Sequence, residues 1–270
     1  MELFFSLSGF LFFYTTQKKF KIKSLLKKKT IRLLIPFLLI GLFYLIPIRF
    51  IANYPPYENT SLIRIIYSFL TVNDCGHLWF LPTLLGIFII ATVLIRMTKS
   101  KQSTLICIVL MLYILSPYLS SFLLITSTKY LFFFFMGYFI NQYGKQIFSI
   151  KAIYHGLATL GILLIAYVLI FHNENRVVTT FTSITIIASL YYFMPHRTNR
   201  FILWLDKNSF GIYLFHSPLM YIIMNKFSII APPAILVPMN LIFGIGGSLI
   251  ITYFLRAIKC SFVIGEKNDR

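Results

Sequence analysis

Acidic residues are scarce in this chain. Asp and Glu together number 7 in 270 residues, against 25 Lys and Arg. Charged residues of both signs make up only 12% of the chain and hydrophobic residues 58%, with a mean hydropathy of +0.81. A soluble chain of this length cannot cover that much apolar surface. The three cysteines, Cys75, Cys107 and Cys260, fall in different environments by the topology below, so they imply no disulfide framework. No Cys/His cluster has the spacing of a zinc site, and no metal is expected. There is no glycine-rich phosphate loop, no low-complexity linker and no soluble domain. A net charge of +18 would suggest nucleic acid in a soluble protein. Here the cations sit in short loops beside apolar runs, so they point to anionic lipid headgroups and no nucleic acid.

What the chain does have is a ladder of nine apolar runs. They lie near Met1–Tyr14, Ile31–Ile48, Leu78–Ile95, Ser103–Leu119, Tyr130–Ile140, Ala152–Phe171, Val177–Met194, Ser209–Met224 and Ala234–Leu255. The expected fold is all-α: a polytopic transmembrane helix bundle of about nine spans, forming one membrane domain over residues 1–270. Taking the loops alternately, one set carries 20 of the 25 Lys and Arg, densest from Lys18 to Arg32. The other set has Arg49, Arg64, Lys129, Arg176 and Lys226. Translocating cations is costly, so the first set is expected in the cytoplasm, with Arg270 inside and Met1 outside. An outside Met1 without a signal peptide leaves two readings. Either a helix is missing before it and the chain is N-terminally truncated, the expectation adopted, or a short tail simply lies outside.

Four patterns stand out inside the runs. In Phe4–Leu11, Ser8 and Gly9 interrupt a bulky aromatic stretch and allow close approach of another backbone or of an acyl chain. In Lys27–Pro36, the cations Lys28, Lys29 and Arg32 cluster at a helix mouth. They are either a site for a phosphorylated ligand or a topology anchor. In Gly76–Pro82, His77 stands at a membrane edge as a proton acceptor or an ordinary interfacial residue. Trp79 there either stacks on a sugar or belongs to the aromatic belt. In Asn208–Pro218, Ser209 is read as the helix cap, which puts His216 about 10 Å deeper along the axis. A histidine at that depth faces a polar path or is satisfied by a neighbouring hydroxyl or carbonyl, and Ser217 with Pro218 is expected to open the helix locally. Between the second and third runs, Tyr54-Pro55-Pro56-Tyr57 reads as a stiff turn and Leu62–Val72 as a short interfacial or re-entrant helix. His155, His172 and His196 are read as surface residues.

The order FFSLSGF (Phe4–Phe10), the basic run ending RLLIP (Arg32–Pro36), HLWFL (His77–Leu81) and SFGIYLFH (Ser209–His216) resembles the integral-membrane acyltransferase family 3, from Phe4 to about Leu255. The resemblance implies a bundle of about ten transmembrane helices in a bacterial inner membrane. It implies transfer of an acyl group, acetyl from acetyl-CoA, to a hydroxyl of a cell-surface or exported carbohydrate or glycolipid. It places Lys28, Lys29 and Arg32 in the acyl-CoA-binding region, and Ser8, Gly9, His77, Trp79 and His216 near a central path, without naming a catalytic residue. The family carries an Arg and a catalytic His on a helix before FFxxSGF, and this chain has neither. The resemblance therefore implies an inactive or severely impaired chain unless His77 or His216 substitutes. A transporter or flippase of a glycolipid or small solute is the alternative, although no inverted repeat is visible.

Overall fold

The computed structural model describes residues 1–17, 22–98, 101–147, 151–171, 175–193, 199–227 and 231–266. Helices account for nearly all of them, and no strand occurs among the described residues. In chain order they are α1 (Glu2–Gln17), α2 (Ile22–Ile40), α3 (Ile46–Ile51), α4 (Leu62–Leu70), α5 (Phe80–Met97), α6 (Gln102–Leu115), α7 (Phe122–Ile147), α8 (Lys151–Phe171), α9 (Arg176–Phe193), α10 (Arg200–Phe227) and α11 (Pro233–Ala257). The fold class is the one expected. Among the described residues, five helical segments are long and apolar enough to cross a membrane: Ser24–Ile51, Gly76–Met97, Phe122–Gly144, Arg176–Phe193 and Pro233–Ala257. Shorter apolar helices cover Glu2–Tyr14, Gln102–Tyr118 and His155–Tyr167. With α10, these coincide with the nine apolar runs.

The chain forms two compact units. The first comprises Met1–Ile22 and Ile87–Arg197, the second Lys23–Gly86 and Thr198–Arg270. In the first, α1 packs against α7, α8 against α9 and α6 against α7. The α1–α7 seam is backbone on backbone. A Cβ on Gly9 would lie 1.8 Å from the Phe134 carbonyl oxygen, and one on Gly137 would lie 1.9 Å from that of Ser6. Small residues let helices approach this closely, and the gain is van der Waals contact along the whole seam. Phe5, Phe12, Phe134 and Phe135 are buried there. Asn141 Nδ2 donates to the Phe10 carbonyl at 2.8 Å, a polar tie in an apolar setting. The Arg176 guanidinium lies over the Tyr113 ring and donates to Ser116 Oγ at 2.7 Å, fastening the start of α9 to the end of α6.

In the second unit, α10 packs along α11 and also meets α3. The helix from α2 to α3 runs continuously through a wide π-type turn at Gly41–Leu45. Pro47 follows it, and a proline can neither donate to the carbonyl of Phe43 nor fit its ring against it, so the turn widens to relieve the clash. Helix α4 is short and two-faced. Ile65 and Phe69 are buried, with Phe69 stacked on Phe37 at 4.6 Å, while Leu62, Ile63, Tyr67 and Leu70 are exposed. This is the short helix anticipated over Leu62–Val72.

Two local expectations need correction. Ser209 does not cap α10. The helix starts nine residues earlier, at Arg200, where Asn199 Oδ1 accepts from the Ile202 amide at 2.8 Å. Asparagine is a strong N-cap, and Ser209 inside the helix instead bonds back to the Asp206 carbonyl at 2.8 Å. Nor do Ser217 and Pro218 open the helix, because α10 is continuous through both. The effect of Pro218 is on a single carbonyl.

Candidate functional site

The site is assembled within the second unit, along α10. The helix from α2 to α3 carries Arg32 ten residues from its start and Arg49 near its far end. Arg32 and Arg49 are seventeen residues apart, which is about 25 Å along a helix, close to the thickness of a bilayer core. The Arg32 guanidinium lies 5.9 Å from the Phe210 ring on α10, and the Arg49 guanidinium 5.8 Å from the Tyr221 ring on the same helix. His216 lies between those two positions, six residues from Phe210 and five from Tyr221.

At the middle of this helix the two histidines of interest meet. The His77 and His216 rings are 5.3 Å apart. His77 comes from the tight turn Gly76–Trp79 that leads into α5. Its Nε2 is 3.1 Å from the Leu214 carbonyl oxygen, and its own carbonyl accepts from the Tyr213 hydroxyl at 2.6 Å. His216 Nδ1 is 2.9 Å from the carbonyls of both Ile212 and Tyr213. Tyr44, from the wide turn, donates to the next carbonyl, that of Phe215, at 3.3 Å. Four consecutive carbonyls of α10 thus receive side-chain donors. Ser217 and Trp79 are half-buried beside this cluster in sequence.

The far end of the α2–α3 helix is closed by a charged knot that the sequence reading did not single out. Arg49 is 1% exposed. It pairs with Asp74 at 2.9 Å, donates to the Tyr57 hydroxyl at 3.3 Å and lies 4.4 Å from the Tyr54 ring. Gly76 completes the knot. Its φ of +53° favours glycine, and a Cβ would come within 2.7 Å of Arg49 Nη2. Burial raises the hydroxyl pKa of Tyr54 and Tyr57, against the pull of the guanidinium. The neighbouring Cys75 thiol is pushed up to about 12, again by burial. A cleft of about 410 Å³ opens beside the knot, with Tyr57, Arg64, Ser68, Asn73 and Asp74 in its wall. The sequence signal was an Arg at the end of an apolar run and an Asp two residues ahead of the Gly76–Pro82 motif.

At the near end, Arg256 ties α11 to α10. It forms a two-pronged pair with Glu266, at 2.9 and 2.6 Å, and donates to the buried Asn208 Oδ1 at 2.7 Å. The turn beyond α11 returns Gly265 to α2, where its Cβ position would touch the Arg32 carbonyl. Lys28 is exposed and Lys29 half-buried on the same turns of α2.

A family model described as an acyltransferase domain, that of acyltransferase family 3, matches residues 1–257. The chain belongs to this acyltransferase family. No curated protein and no solved structure matches it. With its apolar helices, this acyltransferase is a membrane protein.

Of the residues singled out in the sequence, the acyltransferase brings His77 and His216 together and places Lys28, Lys29 and Arg32 on one helix of the same unit. Ser8 and Gly9 belong to the first unit. There the Ser8 hydroxyl returns to the Phe4 carbonyl at 2.9 Å, and the close approach allowed by Gly9 is made by the α7 backbone. His155 is exposed, beside Phe193, while His172 and His196 lie outside the described residues. Cys75, Cys107 and Cys260 are all free thiols.

Proposed function

We propose that this acyltransferase moves an acetyl group from acetyl-CoA to a hydroxyl of a cell-surface or exported carbohydrate, as a multi-pass protein of a bacterial inner membrane with its Lys- and Arg-rich loops in the cytoplasm. The observation that carries the reading is the sequence of groups along α10: the Arg32 cation at Phe210, then paired imidazoles about 9 Å further on. Lys28, Lys29 and Arg32 would hold the phosphates of the CoA, since cation–phosphate hydrogen bonds are strong and guanidinium matches phosphate geometry. The pantetheine arm would then reach inward toward the imidazoles. In the transfer, the acceptor oxygen bonds to the thioester carbonyl carbon and the C–S bond breaks. The hydroxyl proton passes to an imidazole and from it to the departing thiolate, giving CoA and the ester.

The test is the triple change Lys28→Gln, Lys29→Gln, Arg32→Gln. Loss of two or more charge-assisted contacts should raise the KM for acetyl-CoA by about thirtyfold or more, and the rise should shrink in high salt. An unchanged KM in a normally inserted triple variant would overturn the assignment of these cations.

A further inference from the structure

Pro218 has no N–H, so the Leu214 carbonyl four residues earlier on α10 has no helical donor. His77 takes its place, with Nε2 3.1 Å from that oxygen. A carbonyl can only accept, so Nε2 carries the hydrogen and the lone pair of the neutral ring is on Nδ1. That Nδ1 is buried and has no hydrogen-bond partner. His216 is arranged in the opposite sense. Its Nδ1 faces the carbonyls of Ile212 and Tyr213, both at 2.9 Å, so Nδ1 carries the hydrogen and Nε2 holds the lone pair. No donor among the described residues reaches that Nε2. The rings stand 5.3 Å apart. The site therefore presents two basic lone pairs and no hydrogen to satisfy either. A buried acceptor without a donor is uncommon and needs an explanation. A bound hydroxyl would supply the missing hydrogen.

We propose that His77 and His216 form a paired proton acceptor for the hydroxyl of the acyl acceptor, and that Pro218 positions it by leaving the Leu214 carbonyl to fix the His77 tautomer. The inference rests on the acyltransferase reading above. The hydroxyl donates to one of the two free nitrogens. As its oxygen bonds to the thioester carbon, the proton moves to that imidazole, and when the C–S bond breaks it goes to the CoA thiolate. During the step both nitrogens of the ring are protonated. The carbonyls of Ile212, Tyr213 and Leu214 already point at the N–H groups and stabilise the cation, because hydrogen bonding to the charged form favours it. Arg49, the nearest buried cation toward the outer end, is neutralised by Asp74. The pair supplies, within Met1–Arg270, the basic group for which the sequence reading had no assigned residue.

The experiment has two arms. The full chain carrying ¹⁵N-labelled histidine is reconstituted in lipid, and the ring nitrogens are assigned by solid-state NMR. Hydrogen on Nε2 of His77 and on Nδ1 of His216 is expected, with a second His77 tautomer appearing in Pro218→Ala, whose new amide competes for the Leu214 carbonyl. In the second arm, membranes from source cells lacking the chromosomal copy carry the plasmid-borne protein, and radiolabelled acetyl-CoA is the probe. Label entering the cells' own glycan is measured. His77→Gln keeps a donor for Leu214, and His216→Asn keeps one for the carbonyls behind it, as Asn208 does for the Trp204 carbonyl on the same helix. Each loses only the basic lone pair. Each should lower the maximal rate about 10²–10⁴-fold with the KM for acetyl-CoA unchanged, and Pro218→Ala should lower it by a smaller factor. Hydrogen on His77 Nδ1, or a His77→Gln rate within twofold of the unsubstituted protein, overturns the paired acceptor while leaving the acyltransferase reading in place. Absence of labelled glycan with the unsubstituted protein overturns that reading, and the inference with it.

Discussion

Removing Asp74 should unsettle the protein more than removing Asp74 and Arg49 together. The Arg49 guanidinium is 1% exposed and its counter-charge lies 2.9 Å away. At an effective dielectric of about 20 that separation corresponds to about 6 kcal/mol of attraction, most of which offsets the cost of taking the cation out of water. In Asp74→Ala the cation stays buried with only the Tyr57 hydroxyl, the Asp74 main-chain carbonyl and the Tyr54 face beside it. Breaking a buried pair from one side costs about 3–5 kcal/mol, and the 28% exposure of Asp74 places this case near the lower end. In Arg49→Met/Asp74→Ala no charge is left buried. What remains lost is the cation–π contact, about 1–2 kcal/mol, partly replaced by the packing of methionine. The double variant should therefore be more stable than the single by about 1–2 kcal/mol, a negative coupling of the kind that double-mutant cycles detect. Steric trapping in bicelles, or the unfolding midpoint of the purified protein in one detergent, provides the comparison. A double variant less stable than Asp74→Ala would refute the reasoning, since the pair would then be stabilising by more than the burial of its cation costs.

Three further outcomes follow from the same geometry. The Cys75 thiol, held at about 12 by burial against 9.0 for a free thiol, should react with a maleimide near pH 8 about 10³-fold more slowly in the folded protein than after unfolding. Because the folded value is raised, this group's contribution to stability is complete below pH 9 and is lost as the pH rises from 9 toward 12, measurable as a falling unfolding midpoint that Cys75→Ala does not share. Gly9→Ala would press its methyl into the Phe134 carbonyl and should cost about 1–3 kcal/mol in the same unfolding assay, while Ser8→Ala, whose hydroxyl only returns to its own helix, should change little. In a cysteine-free background, a cysteine at Thr60 should label with an impermeant reagent in intact cells and one at Lys101 only after lysis; the reverse pattern would overturn the proposed orientation.

Composition made the helical membrane fold legible because burying an apolar helix in lipid needs no partner detail. Each of the nine apolar runs became a helix, and even the short helix of Leu62–Leu70 was visible from its residues. The start of α10 was missed because Phe201–Leu205, exposed on an apolar stretch between Arg200 and Asp206, carries no clear helical period, and the cap at Asn199 lies ahead of it. Arg49 was read as one of five outer cations, since its burial depends on Tyr54, Tyr57 and Asp74 folding back over it. The sequence marked His77 and His216 separately. That they meet depends on the tight turn at Gly76 and on the carbonyl left free by Pro218, and pairings at a separation of 139 residues are not written in local patterning.

The backbone-on-backbone seam of α1 and α7 has a consequence for how the chain is made. Helix α1 leaves the ribosome before α7, and Gly137, which will cover Ser6, is synthesised about 130 residues after it. At the usual pace of translation that interval is about 7–26 s. For that time the groove formed by Ser6 and Gly9 lies open in the bilayer, able to be taken by any passing helix with a glycine of its own. Ribosome stalling anywhere before Phe134 would hold α1 in this uncovered form, so misassembly and quality-control degradation should concentrate on nascent chains shorter than α7 rather than on the finished protein.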